Sequence, residues 1–286
     1  SEMSTIDISM EKVKTLPVFL GEKDIMKTIQ LMPGVQTGSE GTSGLYVRGG
    51  GPDQNLILLD GVPVYNASHL FGFFSVFNAD AINSVKLIKG GFPSRYGGRL
   101  SSVIDIKMKE GNMKEFHGEG SIGLISSKLT LEGPIKKDKT SFLISGRRTY
   151  IDLLARPIIR SAGDGNTAGY YFYDLNGKVN HKFSDKDRLY ISAYLGDDKA
   201  YSSYEDSWTN NGETSTDKES AQLKWGNTIT AIRWNHMLSN KVFMNTTLRY
   251  SKYRFLVGAD SEFTTTTAGS STTDAFSYAY ISGIED

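Results

Sequence analysis

Alternating apolar and polar residues dominate the chain beyond residue 115, and this pattern restricts the fold more than any other feature. Residues 189–195 read Leu-Tyr-Ile-Ser-Ala-Tyr-Leu, and the same alternation returns at 128–132, 174–180 and 245–251. A side-chain period of two gives a β-sheet with one apolar face and one polar face. Residues 116–286 are therefore predicted to be almost entirely strand.

The alternations and the turn residues between them predict strands at 117–126, 127–135, 140–148, 170–183, 187–196, 220–237, 241–258 and 274–286. Short connections (Lys136–Lys139, Ser184–Asp187, Leu238–Lys241) alternate with long ones (Tyr150–Gly169, Asp197–Glu219, Ala259–Thr273). Short turns at one edge and long loops at the other are typical of outer-membrane β-barrels.

Several local features of this region carry their own predictions. Tyr150–Arg160 is expected to form a short loop helix that Pro157 stops, and Thr264–Thr273 a solvated loop tip. The alternation is expected to slip after Ala231, since Arg233 would otherwise join the apolar face. Aromatic residues near strand ends fit an interfacial girdle: Tyr170, Tyr171, Phe172, Phe183, Trp225, Trp234, Tyr253, Phe255, Phe276, Tyr278 and Tyr280.

Residues 1–115 mix helical and strand signals. Gly21–Met32 is predicted as one amphipathic helix, with apolar residues at i, i+4 and i+7, that ends at Pro33–Gly34. Asp60–Gly61 is expected to be a type I′ turn joining a buried strand, Gln54–Leu59, to Val62–Tyr65. These signals predict a small α+β domain.

Composition excludes several function classes. The chain has 32 basic and 32 acidic residues, and this zero formal charge argues against a nucleic-acid binder. It has no cysteine, which excludes disulfide frameworks, thiol catalysis and cysteine-ligated metals. No apolar run approaches the ~20 residues of a transmembrane helix. No Ser/His/Asp set or carboxylate pair indicates catalysis, so neither an enzyme nor a cofactor or metal site is expected.

The size of the predicted barrel sets a further condition. Eight strands can close a small barrel, but side chains fill its bore. If the first 115 residues lie inside the barrel, the barrel must contain many more strands than residues 116–286 supply.

Six segments share their order and spacing with one known family: Leu16–Glu22 (LPVFLGE), Leu31–Val35 (LMPGV), Leu45–Gln54 (LYVRGGGPDQ), Leu56–Val64 (LILLDGVPV), Lys89–Arg99 (KGGFPSRYGGR) and Leu131–Pro134 (LEGP). Residues 16–134 thereby resemble the plug domain and first barrel strands of TonB-dependent outer-membrane receptors. The resemblance is closest to the SusC-like nutrient-uptake branch common in Bacteroidota.

The resemblance implies a mainly β fold: a plug domain at 1–115 and an incomplete outer-membrane β-barrel at 116–286, with eight of about 22 strands. It also implies TonB-dependent transport of an unidentified nutrient across the Gram-negative outer membrane. The implied partners are the TonB/ExbB/ExbD complex, outer-membrane lipids and a surface lipoprotein cap. No convincing TonB box precedes Thr15. The gene is expected to continue for roughly 400 residues or more beyond Asp286, to reach the strand count of a plugged barrel.

The same resemblance suggests two groups of functional residues. Substrate-facing plug apices are expected at Ser39, Glu40, Tyr65, Asn66, His69, Phe71, Phe73 and Phe74, although the aromatic loop 65–78 is equally compatible with ordinary core packing. Plug–barrel contacts are expected from Arg48, Arg95 and Arg99 to lumen-facing carboxylates such as Glu132.

Two other functional classes remain open from the sequence. A plug-like interaction or signalling module would act without the barrel. An outer-membrane barrel enzyme would need an acid/base cluster at the loop ends, and it leaves residues 1–115 without a role. The nutrient itself is open among iron chelates, cobalamin, oligosaccharides and peptides.

Overall fold

The structure is a computed structural model that describes residues 5–15, 22–37, 44–162, 166–267 and 269–286. Its N-terminal region contains helices α1 (Met10–Thr15) and α2 (Ile25–Gln30) and strands β1 (Thr5–Ile8), β2 (Val35–Thr37), β3 (Leu45–Val47), β4 (Asn55–Leu59), β5 (Val62–Pro63), β6 (Ser68–His69), β7 (Phe74–Ser75), β8 (Ile82–Ile88) and β9 (Ser102–Met108). A mixed sheet in the order β1-β8-β9-β4-β5 forms its centre, with the small pairs β2-β3 and β6-β7 beside it.

The predicted helix in this region is shorter than expected. The Asp24 side chain caps the N-terminus of α2 by accepting the Lys27 backbone N–H at 3.1 Å, so Glu22 lies outside the helix. The turn between β4 and β5 is confirmed. Asp60 (φ 50°) and Gly61 (φ 86°) both have positive φ, as a type I′ turn requires.

The remaining strands form one antiparallel sheet in sequence order, as predicted. They are β10 (His117–Ile122), β11 (Ser126–Lys136), β12 (Thr140–Thr149), β13 (Thr167–Lys182), β14 (Asp187–Asn210), β15 (Glu213–Ser239), β16 (Val242–Thr267) and β17 (Ser270–Glu285). Residues 109–116 connect β9, the last strand of the first sheet, to β10, the first strand of the second.

Two of the predicted long loops are wrong. Strands β14 and β15 remain paired from Asp187 and His236 out to Asn210 and Glu213, and β16 and β17 continue the same ribbon to Thr267 and Ser270. Both faces of this ribbon are largely exposed and polar, so no apolar alternation marks it as strand. The sequence signal that could have revealed it is Asn211-Gly212, whose φ values of 50° and 84° fit a type I′ hairpin turn.

Two smaller predictions are also wrong. Helix α3 spans Ile151–Ala162 and continues through Pro157. Leu153 and Pro157 are both exposed, so water can replace the N–H that the Leu153 carbonyl loses. The register of β15 on β16 does not slip until Met237, and Arg233 stays on the face of Ala231, with its guanidinium 4.5 Å from the Tyr190 ring centroid.

The two faces of the large sheet have different surroundings. Alternate residues of β13, such as Phe172 and Asp174, are buried, whereas their neighbours Leu175 and Val179 are exposed. The buried face packs on the N-terminal region, and Leu143 joins its hydrophobic core. Eight of the eleven aromatic residues predicted for the girdle instead share the inward parity: Tyr170, Phe172, Trp225, Tyr253, Phe255, Phe276, Tyr278 and Tyr280. No helix among the described residues is long and apolar enough to span a membrane.

The plug–barrel interface as candidate functional site

His69 is the centre of the contact between the two regions. Its Nδ1 lies 2.6 Å from Asp198 Oδ2, and its Nε2 lies 2.8 Å from Asp174 Oδ1. The ring stacks on Phe172 with centroids 4.0 Å apart and planes 6° apart. A neutral imidazole has only one N–H, so two facing carboxylates require the doubly protonated ring.

The surroundings of His69 favour this charged form. Burial alone lowers the pKa of His69, but the charges of Asp174 and Asp198 and their hydrogen bonds outweigh it and raise the pKa to about 9. The residue is therefore an imidazolium at neutral pH.

Arg147 extends this contact along the inner face of the barrel wall. It donates from Nε to Asp174 Oδ2 at 2.7 Å and from Nη2 to the Ser75 carbonyl at 2.7 Å. Its Nη1 lies 3.5 Å from Glu22 Oε2, and Glu22 also accepts a hydrogen bond from the Ser126 hydroxyl. We call His69, Glu22, Arg147, Asp174 and Asp198 the latch cluster. Hydrogen bonds and ion pairs link its three carboxylates and two cations, as buried charges require.

The backbone beside His69 is held in an unfavourable conformation. Leu70 (φ 46°) and Phe71 (φ 52°) both lie in the left-handed region, which L-residues avoid. The Leu70 N–H donates to Tyr170 Oη at 2.7 Å and to Asp198 Oδ1 at 3.2 Å. These bonds from the barrel wall hold the turn and place Phe71 at the surface, 4.9 Å from the Trp225 ring.

Three further ion pairs join the regions away from the latch cluster. In the first, Arg188 Nη2 lies 3.0 Å from Glu110 Oε2. Lys178 Nζ lies 2.9 Å from Asp60 Oδ2 and donates to the Met108 carbonyl at 3.1 Å. Lys128 Nζ lies 2.6 Å from Asp80 Oδ2. In these pairs the N-terminal region supplies the carboxylate and the barrel wall the cation, whereas the sequence suggested plug arginines facing barrel carboxylates.

The predicted contact residues lie elsewhere. Arg99 is exposed, and its guanidinium donates to the Gly98 carbonyl at 3.0 Å. Arg95 lies 4.9 Å over the Tyr96 ring, and Arg48 has a left-handed φ of 50°. Glu132 forms no ion pair with another described residue. Pairing of these arginines with Glu132 is thus absent from this part of the barrel, and their roles in the complete barrel stay predictions.

The predicted apex residues divide into two groups. Phe71 and Phe73 are exposed, whereas Phe74 is buried and its ring lies 5.9 Å from Phe172, so it packs as a core aromatic. A cavity of about 430 Å³ opens at the apex, lined partly by Tyr46, Tyr65, Asn66 and Phe71. Ser39 and Glu40 lie outside the described residues.

Sequence reasoning placed His69 in an aromatic loop but missed its barrel partners. Asp174 and Arg147 are charged residues at inward positions of the alternation, and that parity is the one signal that marks them as plug-facing. Their partners in the plug are more than 70 residues away in sequence, so pairing required the fold. Within the described ranges, no group of three His, Asp or Glu side chains fits a metal ion.

A domain joined by buried charges to the inner face of a partial β-barrel is the architecture of a plugged outer-membrane barrel. Residues 5–103 match the TonB-dependent Receptor Plug Domain. The chain is 29% identical over 157 residues to the ferrienterobactin receptor of Escherichia coli (strain K12), covering 49% of this chain and 20% of that protein. It is 25% identical over 267 residues to the probable TonB-dependent siderophore receptor PirA of Acinetobacter baumannii, covering 82% and 34%. It is 26% identical over 189 residues to the vitamin B12 transporter BtuB of Vibrio vulnificus, covering 62% and 30%.

Solved structures agree with the fold. The siderophore receptor PirA from Pseudomonas aeruginosa superposes with a TM-score of 0.51 at 17% identity, covering 99% of this chain and 55% of that one. The chain thus spans about a third or less of its relatives and about half of this structure. The plug match and the relatives thus make the chain similar to TonB-dependent receptors, and the fold agrees with the predicted partial barrel and its outer-membrane location. The relatives are receptors and transporters rather than enzymes.

Proposed function

We propose that the complete protein is a TonB-dependent transporter that imports a nutrient across the Gram-negative outer membrane. In this proposal residues 1–115 are the plug, and residues 116–286 begin the barrel whose lumen the plug gates. The latch cluster carries the proposal, because it joins plug and wall through buried charges rather than through an apolar seam. Desolvation offsets much of the attraction in a buried ion pair. Such a contact fixes the position of the plug and still releases when water enters.

The proposed energy source and partners follow from the family. TonB, with ExbB and ExbD, pulls on the plug from the periplasm, and a surface lipoprotein caps the barrel as in the SusC-like branch. The relatives are named as receptors for enterobactin or as a vitamin B12 transporter. The candidate nutrients are therefore siderophores and cobalamin, beside the oligosaccharides and peptides of the SusC-like branch.

We assign substrate contact on the plug to the exposed apex, with Phe71 and Phe73 as stacking surfaces and Tyr65 and Asn66 as polar contacts beside them. Aromatic faces stack on sugars and on planar ligands. His69 and Phe74 are buried, and in this proposal they support the apex from below.

Uptake assays test the proposal. Cells carrying the complete gene are given ferric enterobactin, cyanocobalamin and an oligosaccharide mixture, with and without a functional TonB. We expect uptake of one substrate that disappears without TonB. The double variant Phe71→Ala/Phe73→Ala should weaken binding of that substrate, whereas Leu100→Ala, an exposed apolar residue elsewhere on the plug, should not. Uptake that continues at the same rate without TonB would contradict active transport.

A further inference from the structure

On the outward, lipid-facing surface of the large sheet, cationic side chains occupy two neighbouring rows. Leu175 and Leu195 pair across β13 and β14 in an exposed apolar row. The next outward row, nearer the ends of β14 and β15 at Asn210 and Glu213, carries Arg148 on β12 and Arg254 on β16. The row after that carries the directly paired Lys199 and Lys224.

These two rows lie at the height of the outer leaflet of the membrane. The sheet has short turns at 183–186 and 240–241 on one edge, and long polar ribbons on the other. Outer-membrane barrels have short periplasmic turns and longer extracellular segments. The four cations therefore lie where the apolar band meets the base of the extracellular ribbons, at the depth of lipid headgroups.

Two of these cations have no ion-pair partner among the described residues, because Asp197, two residues before Lys199 on the same face, is paired with Arg254. Lys199 lies directly opposite Lys224 in the antiparallel pair, and like charges in that position destabilise a sheet. Neither forms an ion pair with a described carboxylate. By contrast, Arg254 Nη2 lies 3.1 Å from Asp197 Oδ1, and Arg148 Nη2 lies 3.7 Å from Asp152 Oδ2.

A cavity of about 720 Å³ lies at the same place. Its lining includes Lys199 and Lys224, the ion pairs Lys252–Glu285 and Arg254–Asp197, and the aliphatic side chains of Leu256 and Ile281. Cations beside an aliphatic wall match the two parts of a phosphorylated lipid. The phosphate oxygens can accept from the lysines while an acyl chain covers the apolar wall.

We propose that this face binds the phosphorylated headgroup of an anionic lipid in the outer leaflet. The bound phosphate supplies the negative charge that Lys199 and Lys224 lack. Clustered Lys and Arg side chains at a membrane surface recognise anionic headgroups in this way. The proposal depends on the outer-membrane location and not on which nutrient is carried.

Native mass spectrometry of the complete receptor in detergent tests the proposal. The protein is titrated with dioleoyl phosphatidic acid and, separately, with dioleoyl phosphatidylcholine, which has the same acyl chains. We expect tighter retention of phosphatidic acid. Lys199→Gln/Lys224→Gln should lower its affinity roughly 30-fold, since each surface cation contributes roughly fivefold. Lys136→Gln/Lys137→Gln removes the same charge at the opposite edge of the sheet and should leave the affinity unchanged.

Three results would overturn the proposal: equal retention of the two lipids, unchanged affinity in Lys199→Gln/Lys224→Gln, or displacement of the lipid by inorganic phosphate at the same concentration. The last result would mean a site for the free anion. The variant Lys199→Arg/Lys224→Arg should retain binding, because it keeps the charge. If the glutamine variant fails to assemble, the two-lipid comparison on the unaltered protein still decides.

Discussion

The inner and outer faces of the barrel wall each contain an arginine paired with an aspartate, and the two pairs have opposite consequences. On the inner face, Arg147 and Asp174 are buried, with 2% and 0% of their side chains exposed. On the outer face, Arg254 and Asp197 are 49% and 36% exposed. Removing one partner of a buried pair leaves an uncompensated charge, whereas exposed pairs contribute little. An arginine–aspartate pair therefore stabilises the docked plug on the inner face and contributes little to stability on the outer face.

The largest effect is expected from Arg147→Ala. This change leaves Asp174 with fewer donors and removes the cation facing Glu22, both in a buried setting. Breaking a buried pair costs about 3–5 kcal/mol. The midpoint of plug release in a urea titration of the complete receptor should fall sharply, and leak of a large antibiotic through the outer membrane should rise. Lys86→Ala, which removes an exposed cation of the plug, is the control and should leave both unchanged.

If Arg147→Ala instead behaves like Lys86→Ala, the latch cluster does not hold the plug. In that case the apolar contacts around Leu143 would carry the interface, and the contrast between the two faces would have no energetic meaning.

The second prediction concerns pH. The pKa of His69 is raised from 6.5 to about 9 in the folded protein by Asp174 and Asp198, against the opposing effect of burial. A raised pKa stabilises the docked state fully below pH 6.5, and that contribution is lost as pH rises toward 9. A shift of this size corresponds to roughly 3 kcal/mol.

Plug release should therefore require less denaturant at pH 9 than at pH 6.5. The cluster also contains Arg147 and is contacted by Tyr170 and Tyr194, so the histidine variant is needed to assign the effect. His69→Gln should be less stable at pH 6.5 and should flatten the pH profile. A slope in His69→Gln equal to that of the unaltered protein would assign the titration to another group.

A smaller effect is expected from Lys128→Ala, which breaks the pair with Asp80. Lys128 keeps 11% of its side chain exposed, so water partly replaces the lost partner of Asp80. We expect a loss of about 1–3 kcal/mol in plug docking, the cost of one unsatisfied buried acceptor. Lys86→Ala, which removes an exposed lysine of the plug, is the control. A loss as large as that of Arg147→Ala would show that no single cluster dominates the interface.

The sequence predicted those parts of the molecule in which local pattern and environment agree. The strands of the large sheet lie in the predicted order because one face meets lipid and the other meets the plug, which produces the period-two alternation. Prediction failed where both faces meet water, as in the outer part of the ribbon 197–219, because hydration removes the alternation. It also failed at Pro157, where exposure of the helix permits a residue that usually ends one. The partners of His69 could not be predicted, since Asp174 and Asp198 lie 105 and 129 residues further along the chain.

The smallest effect is expected from Arg254→Ala on the outer face. Arg254 donates to Asp197 at 3.1 Å, and Asp197 also accepts from the Tyr173 hydroxyl at 2.7 Å, so the carboxylate keeps a donor after the change. Exposed pairs of this kind contribute about 0–1 kcal/mol. The midpoint of plug release should therefore remain within the error of the titration, and antibiotic leak should stay at the level of the unaltered protein. A clear loss of plug docking in Arg254→Ala would mean that the outer face is coupled to the inner one through the wall. Strand β15 lies between Asp197 and Arg254, and its residue at that position is Gly226, which has no side chain. Such coupling would therefore have to pass through the backbone of β15.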